Sequence, residues 1–314
     1  MKKISHVSMD FLGKDYSYSC FFVTIGMDKF KDLREMEKHF VDMREGECLH
    51  SPFFMKIGGK TMGRIISVAN QKGGVGKTTT TVSLAASLAK LGQKVLIIDS
   101  DPQGNATSGL GVQKAELTYD VYDVIVNEVN VHEVIVPTTR ENLMIVPSTI
   151  QLAGAEIELT NQTHREQRLK QALTTIRDEY DYIFIDCPPS LGHLTMNAFT
   201  ASDTVLIPVQ CEYYALEGLS QLMNTITMVR KHFNPQLKIE GVLLTMFDAR
   251  TNLGNEVKDD VIKYFREKVY RTIIPRNVRL SEAPSYGQAI VDYDPRSRGA
   301  EVYLELAKEV LSNG

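Results

Sequence analysis

Tryptophan is missing from this 314-residue chain, and its four cysteines, Cys20, Cys48, Cys187 and Cys211, lie far apart with no CxxC pair. Cysteines so scattered argue against a zinc site or a disulfide framework and suit a reduced cytoplasm. No apolar run reaches the roughly 18 residues that a membrane-spanning helix needs. The segment around Cys20-Phe21-Phe22-Val23 is too short and too polar-flanked for a signal peptide. A strong charge of either sign is also missing, the formal net charge being −4. It divides into +1 over residues 1–61 and −5 over residues 62–314. An acidic bulk does not favour nucleic acid, so any DNA binding needs a local basic patch. Internal repeats, low-complexity tracts and long Pro/Gly linkers are absent from residues 62–314.

What is present is a soluble globular composition, 43% hydrophobic and 24% charged. From Gly63 onward an apolar run, a turn and an amphipathic helix repeat. Strands are expected at Ile65–Ala69, Val95–Asp99, Leu143–Val146, Tyr182–Asp186, Thr204–Val209, Gly241–Met246 and Val269–Ile274. Helices are expected at Thr78–Leu91, Arg165–Asp178, Leu191–Ala201, Leu216–Phe233, Asn252–Glu267 and Ala300–Leu311. Strands as apolar as Val95-Leu96-Ile97-Ile98 belong in a sheet covered on both faces. Alternation with long helices implies parallel pairing through right-handed crossovers. The expected fold is therefore α/β, a doubly wound, mostly parallel sheet with helices on both faces, over residues 62–314.

Between the first strand and the first helix stands Asn70-Gln71-Lys72-Gly73-Gly74-Val75-Gly76-Lys77-Thr78-Thr79. Glycines there let successive N–H groups turn inward on a polyphosphate, and the helix N-terminus adds positive potential. Lys77 is placed to neutralise the β- and γ-phosphates and the Thr78 hydroxyl to ligate Mg²⁺. The general phosphate-loop pattern has glycine where Gln71 stands, and a second lysine, Lys72, precedes the glycine pair. Two strands end in carboxylates, giving Ile98-Asp99-Ser100-Asp101-Pro102-Gln103-Gly104-Asn105 and Ile185-Asp186-Cys187-Pro188-Pro189-Ser190. Ligands in α/β folds sit at the carboxyl ends of strands. An Asp at a strand end is commonly a turn residue or a cap; behind a phosphate loop it reads as a holder of Mg²⁺ or its water shell.

Lys-Gly-Gly-x-Gly-Lys-Thr resembles the deviant phosphate loop of the ParA/MinD ATPases at every position. The stretches Ile150–Glu156, Val209–Gly218, Leu244–Arg250 and Ile274–Pro284 resemble the chromosomal, Soj-type ParA proteins, and the likeness runs over residues 62–314. By that resemblance the cofactors are ATP and Mg²⁺, and the loop residues Lys72, Gly73, Gly74, Val75, Gly76, Lys77, Thr78 and Thr79 bind nucleotide. Pro275, Arg276 and Asn277 lie near the adenine. Thr78, Asp99 and Asp186 serve the metal, Asp101 positions the attacking water, and Cys187 packs beside the site. Lys72 reaches the ATP of a second subunit, making an ATP-dependent homodimer in which a cation supplied in trans steadies the transferring phosphoryl group. No Asn-Lys-x-Asp signature for guanine is visible, which favours ATP over GTP.

The same resemblance implies a cytoplasmic, nucleoid-associated protein. It binds double-stranded DNA without sequence preference and works with a ParB-type centromere-binding partner in chromosome or plasmid segregation. It also allows control of a replication initiator and of sporulation. Arg250 and Arg279 are the expected DNA contacts, since guanidinium suits phosphate. A MinD-like membrane-positioning ATPase is the alternative, but it needs a basic amphipathic helix at the C-terminus. Glu305-Leu306-Ala307-Lys308-Glu309-Val310-Leu311 leans acidic, so no membrane anchor is expected. An iron–sulfur carrier would need paired cysteines that the chain does not supply. Residues 1–61, with a short helix expected at Met27–Glu45, read as an N-terminal extension, disordered or upstream of the usual start at Met62.

Overall fold

The computed structural model describes residues 62–212 and 215–313; the N-terminal extension and its expected helix at Met27–Glu45 lie outside the described residues. In chain order the elements are β1 (Arg64–Val68), α1 (Lys77–Lys90), β2 (Val95–Asp99), α2 (Asn105–Gly109), α3 (Val121–Ile125), α4 (Val131–Val134), β3 (Val136–Pro137), β4 (Leu143–Val146), α5 (Leu152–Glu158) and α6 (Arg168–Thr174). There follow β5 (Tyr182–Asp186), α7 (His193–Ala201), β6 (Thr204–Gln210), α8 (Ala215–His232), β7 (Lys238–Thr245), α9 (Asn252–Phe265), α10 (Val278–Glu282), α11 (Ile290–Tyr293) and α12 (Arg298–Ser312). The strands form one sheet in the order β3-β4-β2-β5-β1-β6-β7. Every pairing is parallel except the short β3–β4 contact.

The reason for that order lies in the strands themselves. β2 and β5 are buried along their whole length, so apolar side chains on both faces need helices above and below. One face is covered by α1 and α12 through Leu84, Leu88, Tyr303 and Leu306. The other is covered by α6, α7 and α8 through Leu169, Phe199, Leu222 and Ile226. Each such side chain contributes about 1.5–3 kcal/mol on burial. These two layers hold the carboxyl ends of β1, β2, β5, β6 and β7 in one row, which is where the site forms.

Two expectations need correction. Residues 269–274 do not make a strand; they meet β7 at the isolated bridge Val242–Val269 and through the Tyr270 and Ile274 N–H groups, which donate to the Val242 (3.0 Å) and Leu244 (2.9 Å) carbonyls, and just beyond them Pro275 bridges Phe247. The N–H groups of Arg271 and Thr272 are taken by the Glu309 carboxylate of α12 (2.8 and 3.0 Å), so they are lost to a ladder. The helix expected over 165–178 is broken, with only Arg168–Thr174 α-helical between 3₁₀ turns. Thr174 and Thr175 donate to the carbonyls of Lys170 and Ala172, a local competition that weakens a helix end. The sheet also gains the antiparallel β3, a two-residue strand with too few side chains to show a period.

Candidate functional site

The loop between β1 and α1 is shaped by its glycines. Gly74 (φ 74°) and Gly76 (φ 87°) adopt left-handed backbone, which a side chain resists. Gly76 is the residue that opens α1. Thr245, at the end of β7, donates from Oγ1 to the Val75 carbonyl (2.9 Å) and holds the loop against the sheet. Gly73 and Gly74 are exposed, while Val75 and Lys77 are buried.

The two lysines of the loop face different surroundings. Lys77 lies under its own loop and donates from Nζ to the Lys72 carbonyl (3.1 Å). Burial pulls its pKa below the usual lysine value, against the opposing pull of Asp186, Cys187 and Asp101. An ammonium so desolvated is better satisfied by an arriving polyanion than by one carbonyl. Lys72 instead sends its ammonium to Glu212, just beyond β6 (3.3 Å), and its side chain is one-third exposed. The Lys72 N–H donates to Asn70 Oδ1 (3.0 Å), and Asn70 in turn donates to the Pro208 carbonyl (2.7 Å), fixing the turn from which Lys72 departs.

Asp99 and Asp186 end adjacent strands in direct register, and both are fully buried. Asp186 accepts from Thr78 Oγ1 (2.8 Å) and Thr81 Oγ1 (2.9 Å), both on α1. Asp99 accepts from the Thr107 N–H (2.8 Å), Thr107 Oγ1 (2.7 Å) and the Asp101 N–H (3.3 Å). Burial pushes both carboxyls above the ordinary aspartate range, and the charge of Asp99 adds to the rise at Asp186. A divalent cation would reverse that penalty. Among the described residues no group of three or more His, Cys, Asp or Glu converges to hold a metal by itself. Mg²⁺ takes hard oxygens from one or two protein groups and the remainder from phosphate and water. Thr78 Oγ1 and the Asp186 carboxylate are oxygens that could hold such an ion, and Asp99, which accepts from Thr107 and Asp101, lies beside them.

Asp101 sits in a pinned turn. Its carbonyl accepts from Ser148 Oγ (2.8 Å) and from the Gly104 N–H (2.8 Å), and its Oδ1 accepts from the Gln103 N–H (2.9 Å). A cavity of about 270 Å³ opens beside it, walled by Gln103, Glu156, Pro188 and Pro189. A larger one, about 410 Å³, opens beside Thr78 and Thr79, with Ser83, Asn105, Ser108 and Pro284. Cys187 is buried in the core, and burial pushes its thiol far up; it packs.

Pro275, Arg276 and Asn277 run beside Phe247 at the end of β7, the Arg276 N–H donating to the Phe247 carbonyl (3.3 Å). Asn277 caps α10 by accepting from the Arg279 N–H (2.9 Å). The Arg276 guanidinium lies 3.8 Å from Glu212, so one carboxylate neighbours both Lys72 and Arg276. Sequence reasoning assigned Glu212 no role; only its place after an apolar strand hinted at one. Thr81 and Ser148 carry no signal because their partners Asp186 and Asp101 are remote in sequence, and Thr107, eight residues after Asp99, is an ordinary polar residue of a short helix. Arg250 and Arg279 are brought to exposed positions outside this cluster, each on a carboxylate: Arg250 on Asp248 (2.6 Å), Arg279 on Glu282 (2.8 Å) and Asp294 (3.5 Å).

The AAA domain family profile matches residues 63–239. The sporulation initiation inhibitor protein Soj of Bacillus subtilis is 67% identical over 253 residues, which are 81% of this chain and all of that protein. The chromosome partitioning protein ParA of Myxococcus xanthus is 55% identical, over 81% of this chain and 90% of its own. Among solved structures, cobyrinic acid a,c-diamide synthase of Mycobacterium smegmatis, with bound ADP and magnesium, superposes with a TM-score of 0.70 at 39% identity, over 80% of this chain and 94% of that one. With its two-lysine loop and paired buried carboxylates, the chain belongs to the ParA/MinD family of deviant phosphate-loop ATPases, within its Soj/ParA group.

Proposed function

We propose that this chain is an ATP-dependent partitioning ATPase whose two loop lysines serve two different nucleotides. The observation that carries the reading is their divergence: Lys77 is buried in its own cradle, whereas Lys72 points out of it to Glu212. Lys77, the loop amides of Gly73–Thr79 and the start of α1 hold the triphosphate. Thr78 and Asp186 would hold Mg²⁺, which would supply positive charge to the transferring phosphoryl group, and Asp99 keeps the neighbouring turn in place. Asp101 orients the attacking water from that turn. Pro275, Arg276 and Asn277 border the base. Lys72 is then free to meet the γ-phosphate of a second copy, so ATP makes the dimer and hydrolysis loosens it.

The dimer binds double-stranded DNA through phosphate contacts from Arg250 and Arg279, carrying no sequence information. It works in chromosome or plasmid segregation with a ParB-type partner that stimulates turnover, and it resides on the nucleoid in the cytoplasm. Control of replication initiation and sporulation belongs to the same reading. The MinD-like alternative finds less support, because α12 spends its apolar face on α1 through Val302, Tyr303, Leu306 and Val310. Among the described residues no helix is long and apolar enough to cross a membrane. Residues 1–61 are a dispensable extension: the 253 residues aligned with Soj equal the length of 62–314. ATP turnover measured alone, with DNA, and with DNA plus the cognate ParB-type protein tests the reading. Turnover indifferent to both additions would count against it.

A further inference from the structure

We propose that Lys114 is a positioning residue for hydrolysis, acting on Asp101 through the backbone of Gln103. The Lys114 ammonium donates to the Gln103 carbonyl (2.7 Å). Gln103 in turn donates its own N–H to Asp101 Oδ1 (2.9 Å). Gln103 is therefore clamped between a cation and the carboxylate, and its position decides how that carboxylate is aimed. The fit is close: a Cβ placed on Gly104 would lie 2.6 Å from both Cε and Nζ of Lys114. Gly104 itself has left-handed backbone (φ 59°), and the space a side chain there would need is taken by the lysine together with the Ser148 carbonyl oxygen, 2.5 Å from the same Cβ.

Helix stability does not explain this placement. Gly104 opens α2, and a cation beside a helix N-terminus is opposed by the helix dipole. The other restraints on the turn act on the Asp101 main chain: Ser148 Oγ and the Gly104 N–H both meet the Asp101 carbonyl. Only the Gln103 N–H reaches the carboxylate from within the turn, and the Lys114 contact is the side-chain restraint on Gln103. Removing it leaves the fold and the phosphate cradle intact but lets Oδ1 wander. Nucleotide binding uses other residues, so it is spared.

The inference rests on the reading of Asp101 as the residue that orients water. Its test is phosphate release by the full-length chain with Mg²⁺ over a range of ATP concentrations. Lys114→Met lowers kcat about five-fold, equivalent to about 1 kcal/mol of barrier, with KM and melting temperature unchanged. Lys114→Arg, which keeps a donor cation, restores at least half of the rate. In an Asp101→Ala background, Lys114→Met changes the residual rate no further. Unchanged kcat in Lys114→Met, a change confined to KM, or an additive loss in the double variant would overturn the proposal. Wild-type turnover in Asp101→Ala alone would instead overturn the reading of Asp101 on which it stands.

Discussion

Replacing Lys72 by alanine separates the two lysines more sharply than any other change. The lost ion pair, 3.3 Å long, joins a side chain 32% exposed to one 48% exposed. Pairs this accessible contribute about 0–1 kcal/mol to folding, so melting shifts by no more than about 2–4 °C for a domain of this size. ATP affinity depends on Lys77 and the loop amides, which keep their places, because it is the main chain of Lys72 that meets Lys77 and Asn70. The dissociation constant therefore stays within about three-fold, or about 0.7 kcal/mol. A cation delivered in trans to the transferring phosphoryl group accounts for about 10³–10⁵ in rate, so turnover collapses and the protein stays monomeric with ATP. Nucleotide titration, light scattering and phosphate release on one preparation give the three readouts. A Lys72→Ala protein that dimerises and turns over, or one that loses ATP affinity ten-fold, would refute the division of labour.

Lys77→Ala, by contrast, removes the cation buried near Asp186 and Asp101 and abolishes detectable ATP binding in the same titration. Asp101→Ala binds ATP and dimerises but turns over only at a small residual rate, leaving a long-lived dimer visible by light scattering. Asp248→Asn releases the guanidinium of Arg250 from its carboxylate and raises DNA affinity several-fold at low salt. Arg250→Glu and Arg279→Glu lower it for all sequences alike and flatten the log–log salt slope by about 0.9 per lost phosphate contact, as filter binding on two unrelated duplexes would show. Gly192→Ala places a Cβ 2.5 Å from Glu156 Oε1 and pushes that carboxylate off the N–H groups of His193 and Leu194. Loss of the cap costs about 1 kcal/mol, read as a lower melting temperature with ATP affinity retained.

The sequence carried the layered fold because its information there is local. Val95–Asp99 and Tyr182–Asp186 are apolar runs that end in a charge, and both appear as strands with those same bounds. The phosphate loop was equally legible, since its glycines and lysines are contiguous. What could not be read is whatever depends on a distant side chain. Residues 269–274 look like a strand until Glu309 takes two of their N–H groups. Glu212 lies 140 residues from Lys72, and no periodicity links them. Thr107 and Ser148 are ordinary polar residues in sequence; folding makes them the fastenings of Asp99 and of the Asp101 turn.

The order of the strands bears on how the protein is made. β1 is the first strand of the sheet to leave the ribosome, yet it lies between β5 and β6, pairing Arg64 with Tyr182 and Ile66 with Thr204. Nearly half of residues 62–314 must be synthesised before it has a neighbour on one side, and more than half before it has one on both. Pairing over such sequence separations is slow because loop closure precedes any gain. The phosphate loop waits longer still, since its main chain is fastened by Thr245 at the end of β7. A nascent chain released short of that residue has the whole two-lysine motif and no cradle. Nucleotide binding is therefore expected only of a chain synthesised past Thr245.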